Sequence, residues 1–190
     1  MPRRARPGAF LAVLGAFWGP LLAGCLPALP HTEPQATPSF DAVAFFSGRT
    51  AGLGTLAIRG RAPVVVRVES VGTVRPDGSL DLRQLVRRGD GPPSERAWSL
   101  RPTGPGRYVG TLTDASGEVE AWEEGNLLRI RYPMGWATSV RQDLTLEPGG
   151  QLALNLMTVR FLGIPIARLT EQIRRVDGED RLHRDPSGRP

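Results

Sequence analysis

The sequence predicts an all-β protein: an antiparallel up-and-down barrel of about eight to nine strands, with one C-terminal helix. Three observations lead there. Apolar residues recur at every second position through much of residues 40–160. Turn-forming residues interrupt that alternation at nearly regular intervals, in a chain with 23 Gly and 18 Pro. No long helical pattern separates the strands, which argues against a parallel α/β sheet. Consecutive hairpins favour an up-and-down order, and closing the sheet into a barrel removes its exposed edges.

The strands follow in order. Residues 52–59 place Leu56 and Ile58 on one face, and Val64, Val66 and Val68 alternate with Val65, Arg67 and Glu69. Arg75-Pro76-Asp77-Gly78 is a turn signal. Leu80, Leu82, Gln84 and Val86 then alternate with Asp81, Arg83 and Arg87. A turn over 89–94 precedes Arg96, Trp98 and Leu100, and Thr103-Gly104-Pro105-Gly106 reverses the chain again. Strands are expected over 108–114, 118–123, 127–132 and 138–146, and over 151–158 after Pro148-Gly149-Gly150. Beyond Pro165, the residues Ile166, Leu169, Ile173 and Val176 recur at helical spacing. This segment is the expected helix, packed on the barrel or plugging one end.

The ends of the chain read differently. Arg3, Arg4 and Arg6 precede an uncharged apolar stretch over 8–22, which ends in Leu22-Ala23-Gly24-Cys25. A charged start, an apolar run and small residues before a cut make a secretory signal over 1–24. Gly15, Gly19 and Pro20 break the run below the ~20 apolar residues of a membrane span. Residues 26–39 carry Pro27, Pro30, Pro34 and Pro38 and read as a stiff tether. The folded domain is expected over 40–176, followed by a polar, disordered tail over 177–190.

Leu22-Ala23-Gly24-Cys25 resembles the lipobox of bacterial lipoproteins. The resemblance implies cleavage between Gly24 and Cys25 and lipidation of the Cys25 thiol, a soft nucleophile. Cys25 is the single cysteine, so no intramolecular disulfide is available. The implied location is the cell envelope, facing the periplasm and held by lipid, on the outer membrane. Removal of 1–24 takes away three arginines and no acid, so the formal charge falls from +5 to about +2. All 24 basic residues are Arg, which reads as coding bias. No basic patch interleaved with aromatics suggests nucleic acid.

Few groups can carry chemistry. The two histidines, His31 and His183, lie in the tether and the tail, so no catalytic imidazole is expected inside the domain. The same shortage leaves no metal site to expect, and no glycine-rich phosphate loop suggests a cofactor. Asp114, Glu118, Glu120, Glu123 and Glu124 cluster along the chain but read as a solvated strand face. Alternation puts Arg96 and Trp98 on one face. If that face is the interior, Arg96 can meet an acidic head group while Trp98, with Tyr132 nearby, lines an apolar pocket. The structural alternatives are Arg96 paired with Asp114 or Asp143, or stacked on Trp98 outside the barrel.

Dispersed motifs carry a family resemblance over residues 45–176. They include Phe45-Phe46-Ser47-Gly48, Gly52, Arg96-Ala97-Trp98, Tyr108-Val109-Gly110, Asp114-Ala115-Ser116-Gly117, Asn155 and Arg160-Phe161-Leu162-Gly163. In this order, after a lipobox, they resemble a proteobacterial lipoprotein family known as domain of unknown function 3833. The resemblance implies a lipocalin-like barrel and supplies no reaction. The chain departs from the pattern at Gln142-Asp143-Leu144-Thr145, where the family tends to have Asp-Asp-Trp-Met, and by one extra residue between Phe161 and Gly163. The function expected from these readings is non-enzymatic binding of a hydrophobic molecule, such as a fatty acid or membrane lipid. The alternative is a solid barrel with a structural or protein-binding role.

Overall fold

The computed structural model describes residues 26, 28–30 and 32–176. Gly24, Cys25, the signal and the 177–190 tail lie outside the described residues, as do His31 and His183. A short helix, α1 (Ala42–Phe46), precedes ten strands. These are β1 (Gly48–Ile58), β2 (Val64–Val74), β3 (Leu80–Arg88), β4 (Ser94–Gly104) and β5 (Arg107–Leu112). They continue with β6 (Val119–Glu124), β7 (Leu127–Pro133), β8 (Thr138–Leu146), β9 (Leu152–Phe161) and β10 (Ile164–Arg175). Each strand pairs antiparallel with its neighbours in sequence, and β10 returns to β1 to close the barrel.

The all-β, up-and-down, lipocalin-like barrel is therefore the fold, with ten strands rather than eight or nine. The tenth is the segment expected as a C-terminal helix. Its inward positions are Ala167, Leu169, Glu171 and Ile173, all buried. A small residue and a carboxylate occupy two of the four, so the period of two is hidden, and a register shift between Pro165 and Ala167 offsets it further. Pairing with both β1 and β9 overrides the weak helical spacing.

The helix that plugs an end comes instead at the start. Asp41 caps α1, its Oδ1 accepting from the Ala44 N–H at 2.8 Å. Phe40, Phe45 and Phe46 are buried together, with ring centroids 5.4 and 4.9 Å apart. They seal the end of the barrel where β1 begins. Glu123 Oε1 accepts from the Ala42 N–H at 2.7 Å and from the Tyr108 hydroxyl at 2.9 Å. Burial, then Glu123 itself, push the Tyr108 phenol well above its ordinary range. Arg175 Nη1 donates to the Phe45 carbonyl at 2.7 Å and also to that of Ala44. A Cβ on Gly72 would overlap the Phe46 carbonyl, so a glycine is what lets the plug sit so close to β2.

The segment read as a tether lies against the barrel. Gln35 exchanges hydrogen bonds with Asn126 at the plugged end, each 2.8 Å. Leu29, Pro30 and Thr32 lie beside Arg141, Asp143, Thr158 and Arg160 on β8 and β9. Arg168 on β10 reaches the Leu26 carbonyl at 3.4 Å.

A polar belt inside the barrel as the candidate functional site

Inward-facing positions of most strands surround a cavity of about 110 Å³. It runs from Phe46 and Leu80 at the plugged end to Arg88 beside the opposite, open end. Its walls are mostly apolar. Leu82, Leu100, Leu128 and Ile130 belong to the core that continues into the plug, and Val66, Val86 and Leu169 form a second cluster.

A belt of polar side chains crosses these apolar walls, and the register explains its composition. Thr50 faces Ser70, Ser70 faces Gln84, and Gln84 faces Arg96 across four consecutive strands. Gln84 Nε2 donates to Ser70 Oγ at 3.1 Å, and Gln84 Oε1 accepts from Trp98 Nε1 at 2.7 Å. On the other wall Glu171 faces Asn155. Asn155 Nδ2 donates to Glu171 Oε2 at 3.0 Å and to Gln142 Oε1 at 3.1 Å. Gln142 Nε2 in turn donates to the Tyr132 hydroxyl at 3.3 Å. Buried polar groups of this kind are costly unless paired, so a chained set is what an apolar barrel can tolerate.

Two members are poised for more. Asn155 Oδ1 is buried and has no donor facing it among the described residues. The two acceptors held by Nδ2 fix which way that amide points. Glu171 is buried, and desolvation raises its carboxyl above the ordinary value, against the Asn155 hydrogen bond and the charge of Arg96. The side chain needs room that β1 supplies: a Cβ on Gly52 would overlap Glu171 Oε1.

Arg96 and Trp98 both line the cavity, so their shared face is the interior. Arg96 Nε lies 2.8 Å from Asp114 Oδ2, and its guanidinium carbon is 5.7 Å from the centre of the Trp98 ring. Of the two acids weighed as partners, Asp114 is the one; Asp143 instead meets Arg141 at 3.0 Å. Tyr132 stands behind the cavity wall, its ring edge-on to Trp98 at 5.8 Å. Burial raises its phenol, opposed by Arg96.

The acidic cluster divides. Val119 and Ala121 point inward, and Glu118 and Glu120 line an outer groove with Arg131, Arg141 and Arg160. Glu124 pairs with Arg129 at 3.2 Å. Among the described residues no three metal-ligating side chains converge. Sequence reasoning missed Gln142, Asn155 and Glu171. The alternation at Asn155 misleads: Leu152, Leu154 and Leu156 share a face that reads as the core, whereas Ala153 and Asn155 are the buried, inward positions.

A family model described as "Protein of unknown function (DUF3833)" matches residues 20–175, and the chain belongs to that family. No curated protein matches the sequence significantly. Solved structures share the fold. The S-type phycobiliprotein lyase CPES of Guillardia theta superposes with a TM-score of 0.58 at 7% identity, over 72% of this chain and 92% of that one. Rv2717c of M. tuberculosis gives 0.53 at 17% identity, over 72% and 96%. A protein of unknown function from the DUF3598 family of Nostoc punctiforme gives 0.55 at 12%, over 70% of this chain and 48% of that one. At these identities the likeness carries the barrel and nothing of its chemistry.

Proposed function

We propose that this protein is a lipid-anchored envelope lipoprotein whose barrel binds a slender amphipathic molecule and performs no catalysis. In this reading the chain is cut before Cys25, lipidated there, and faces the periplasm from the outer membrane. The observation that carries the binding function is the belt within the cavity. A solid barrel needs no Arg, Glu, Gln and Asn along its axis. A binding site needs a few convergent polar groups on apolar walls. Arg96 and Asn155 Oδ1 would meet the polar end of the ligand, and Leu82, Val86, Leu169 and Trp98 its apolar part. The volume narrows the class. About 110 Å³ is below the ~300–1,000 Å³ of pockets for drug-sized ligands. A short acyl segment fits that space better than a complete membrane lipid.

The small volume also favours the second reading, a barrel closed on itself that serves as a structural or interaction protein. Native mass spectrometry of protein purified from its own host separates the two. A co-purifying small molecule, lost in Arg96→Met and Trp98→Ala proteins that remain folded, is the expected result. Ligandless wild-type protein would leave the second reading standing. On the same sample, an acylated N-terminus at Cys25 is expected. A free or uncut N-terminus would end the lipoprotein reading while leaving the ligand question open.

A further inference from the structure

We infer that the open end of the barrel docks on an anionic lipid bilayer, so that the mouth of the cavity faces the membrane. The surface there is unlike the rest of the rim. Trp136, in the β7–β8 turn, is 80% exposed, and Leu162, at the tip of the β9–β10 hairpin, is 63% exposed. Phe161 and Ile164 flank that tip and are also exposed. The two hairpins are joined, the Leu162 N–H donating to the Ala137 carbonyl at 2.9 Å and the Trp136 and Phe161 rings lying 6.0 Å apart. They form one apolar projection rather than scattered side chains.

The tip is built against local preference. Leu162 and Gly163 have φ of 48° and 80°, the two positive values of a type I′ turn. Asn or Asp is the favoured first residue of such a turn, and a leucine there is strained. A strained leucine aimed at solvent contributes nothing to the core, so its apolar side chain needs another partner.

Charge selects the partner. The β1–β2, β7–β8 and β9–β10 turns hold Arg59 and Arg61 and no acidic residue, and Arg160 borders the tip. The acids of this rim, Asp90, Asp114 and Glu118, lie in the β3–β4 and β5–β6 loops; Asp114 is paired with Arg96, and Glu118 shares the outer groove with Arg131, Arg141 and Arg160. Exposed Trp and Leu beside Arg59, Arg61 and Arg160 suit the boundary between anionic head groups and acyl chains. The course of the N-terminal segment agrees. It climbs the outer wall from Gln35 at the plugged end to Leu26, held by Arg168 in the open half of β10. A lipid on Cys25, which belongs to the proposed function, would be joined to this end of the segment, and the docking does not depend on it.

The test is tryptophan quenching by bromine-labelled acyl chains. The full chain, with Trp18→Phe in every sample so that only the tryptophans of the barrel report, is mixed with preformed vesicles of phosphatidylethanolamine and phosphatidylglycerol. Wild-type emission should be quenched, and most of that quenching should vanish in Trp136→Phe protein. Leu162→Asp should weaken the quenching roughly tenfold, the scale of one lost apolar anchor, with a Tm that does not fall. Vesicles of phosphatidylcholine alone should quench several-fold less. Trp136 emission untouched by brominated chains would overturn the inference. So would a Trp136 signal that depends on protein concentration without vesicles, which assigns the patch to a second copy. The acyl mass at the N-terminus, read separately, tells whether the anchor failed or the docking did.

Discussion

The two ends of this barrel solve opposite problems. At the plugged end three phenylalanines are buried, the plug's N–H and C=O groups are bound by Glu123 and Arg175, and Gly72 gives up its side chain to let them fit. At the open end four large apolar side chains face solvent, and a leucine holds a backbone conformation suited to asparagine. One end is made for stability and the other accepts instability. Between them lies the polar belt, costly to bury and chained to limit the cost. Stability is concentrated at the plugged end, and departures from the stable choice accumulate at the belt and the open rim.

The plug should be the most sensitive part of the molecule. Phe45→Ala should cost about 3–5 kcal/mol in urea denaturation, because a buried aromatic leaves a cavity that the strands cannot collapse. Trp136→Ala at the open end should change the same midpoint by less than about 0.5 kcal/mol. Equal losses at the two ends would abolish the distinction. Gly72→Ala should follow at roughly 1–3 kcal/mol, the usual cost of overpacking, since its Cβ pushes on backbone rather than on a flexible side chain.

These features were unequally legible in the sequence. Nine strands were readable because Gly, Pro and Asp mark their turns and because Leu80–Val86 or Val64–Val68 alternate cleanly. The tenth was not, because Glu171 stands at an inward position and Ala167 is too small to signal burial. The plug was not, because five residues of helix carry too little periodicity. The pairing of Arg96 with Trp98 on one face followed from parity alone. Which acid would reach Arg96 did not, since that depends on the register of the β4–β5 hairpin, which pairs Trp98 with Leu112 and so brings Asp114 beside Arg96. The belt was hidden for the same reason that it matters: polar residues on an inward parity look like solvent-facing ones until the strands are paired.

Glu171 lies in the belt between the two ends. Burial raises its carboxyl above the ordinary 4.5 in the folded chain. Between 4.5 and that raised value, the folded protein holds a proton that the unfolded chain has lost. Stability therefore falls as pH rises through this window, and the loss persists above it. Glu171→Gln keeps the Asn155 hydrogen bond and removes the charge. Its urea midpoint should be flatter than wild type from about pH 4 upward and higher at neutral pH. A wild-type profile that rises with pH across the window, with the Glu171→Gln protein less stable at neutral pH, would mean that Arg96 holds the carboxylate ionised.

The smallest expected effect is the most discriminating, because it runs against ordinary intuition. Leu162→Asn replaces an exposed apolar side chain with a residue that tolerates positive φ. A left-handed conformation costs an L-residue other than Gly, Asn or Asp about 1–2 kcal/mol, so part of that strain is relieved. The Tm should rise, by an amount corresponding to about 0.5–1 kcal/mol. The same substitution should lower the quenching of Trp136 by brominated acyl chains. A gain in stability with a loss of membrane contact means that the leucine is held at the tip for what it touches outside the molecule. If Tm falls instead, Leu162 is packing on Phe161 or Ile164 after all, and the apolar tip belongs to the barrel rather than to a membrane.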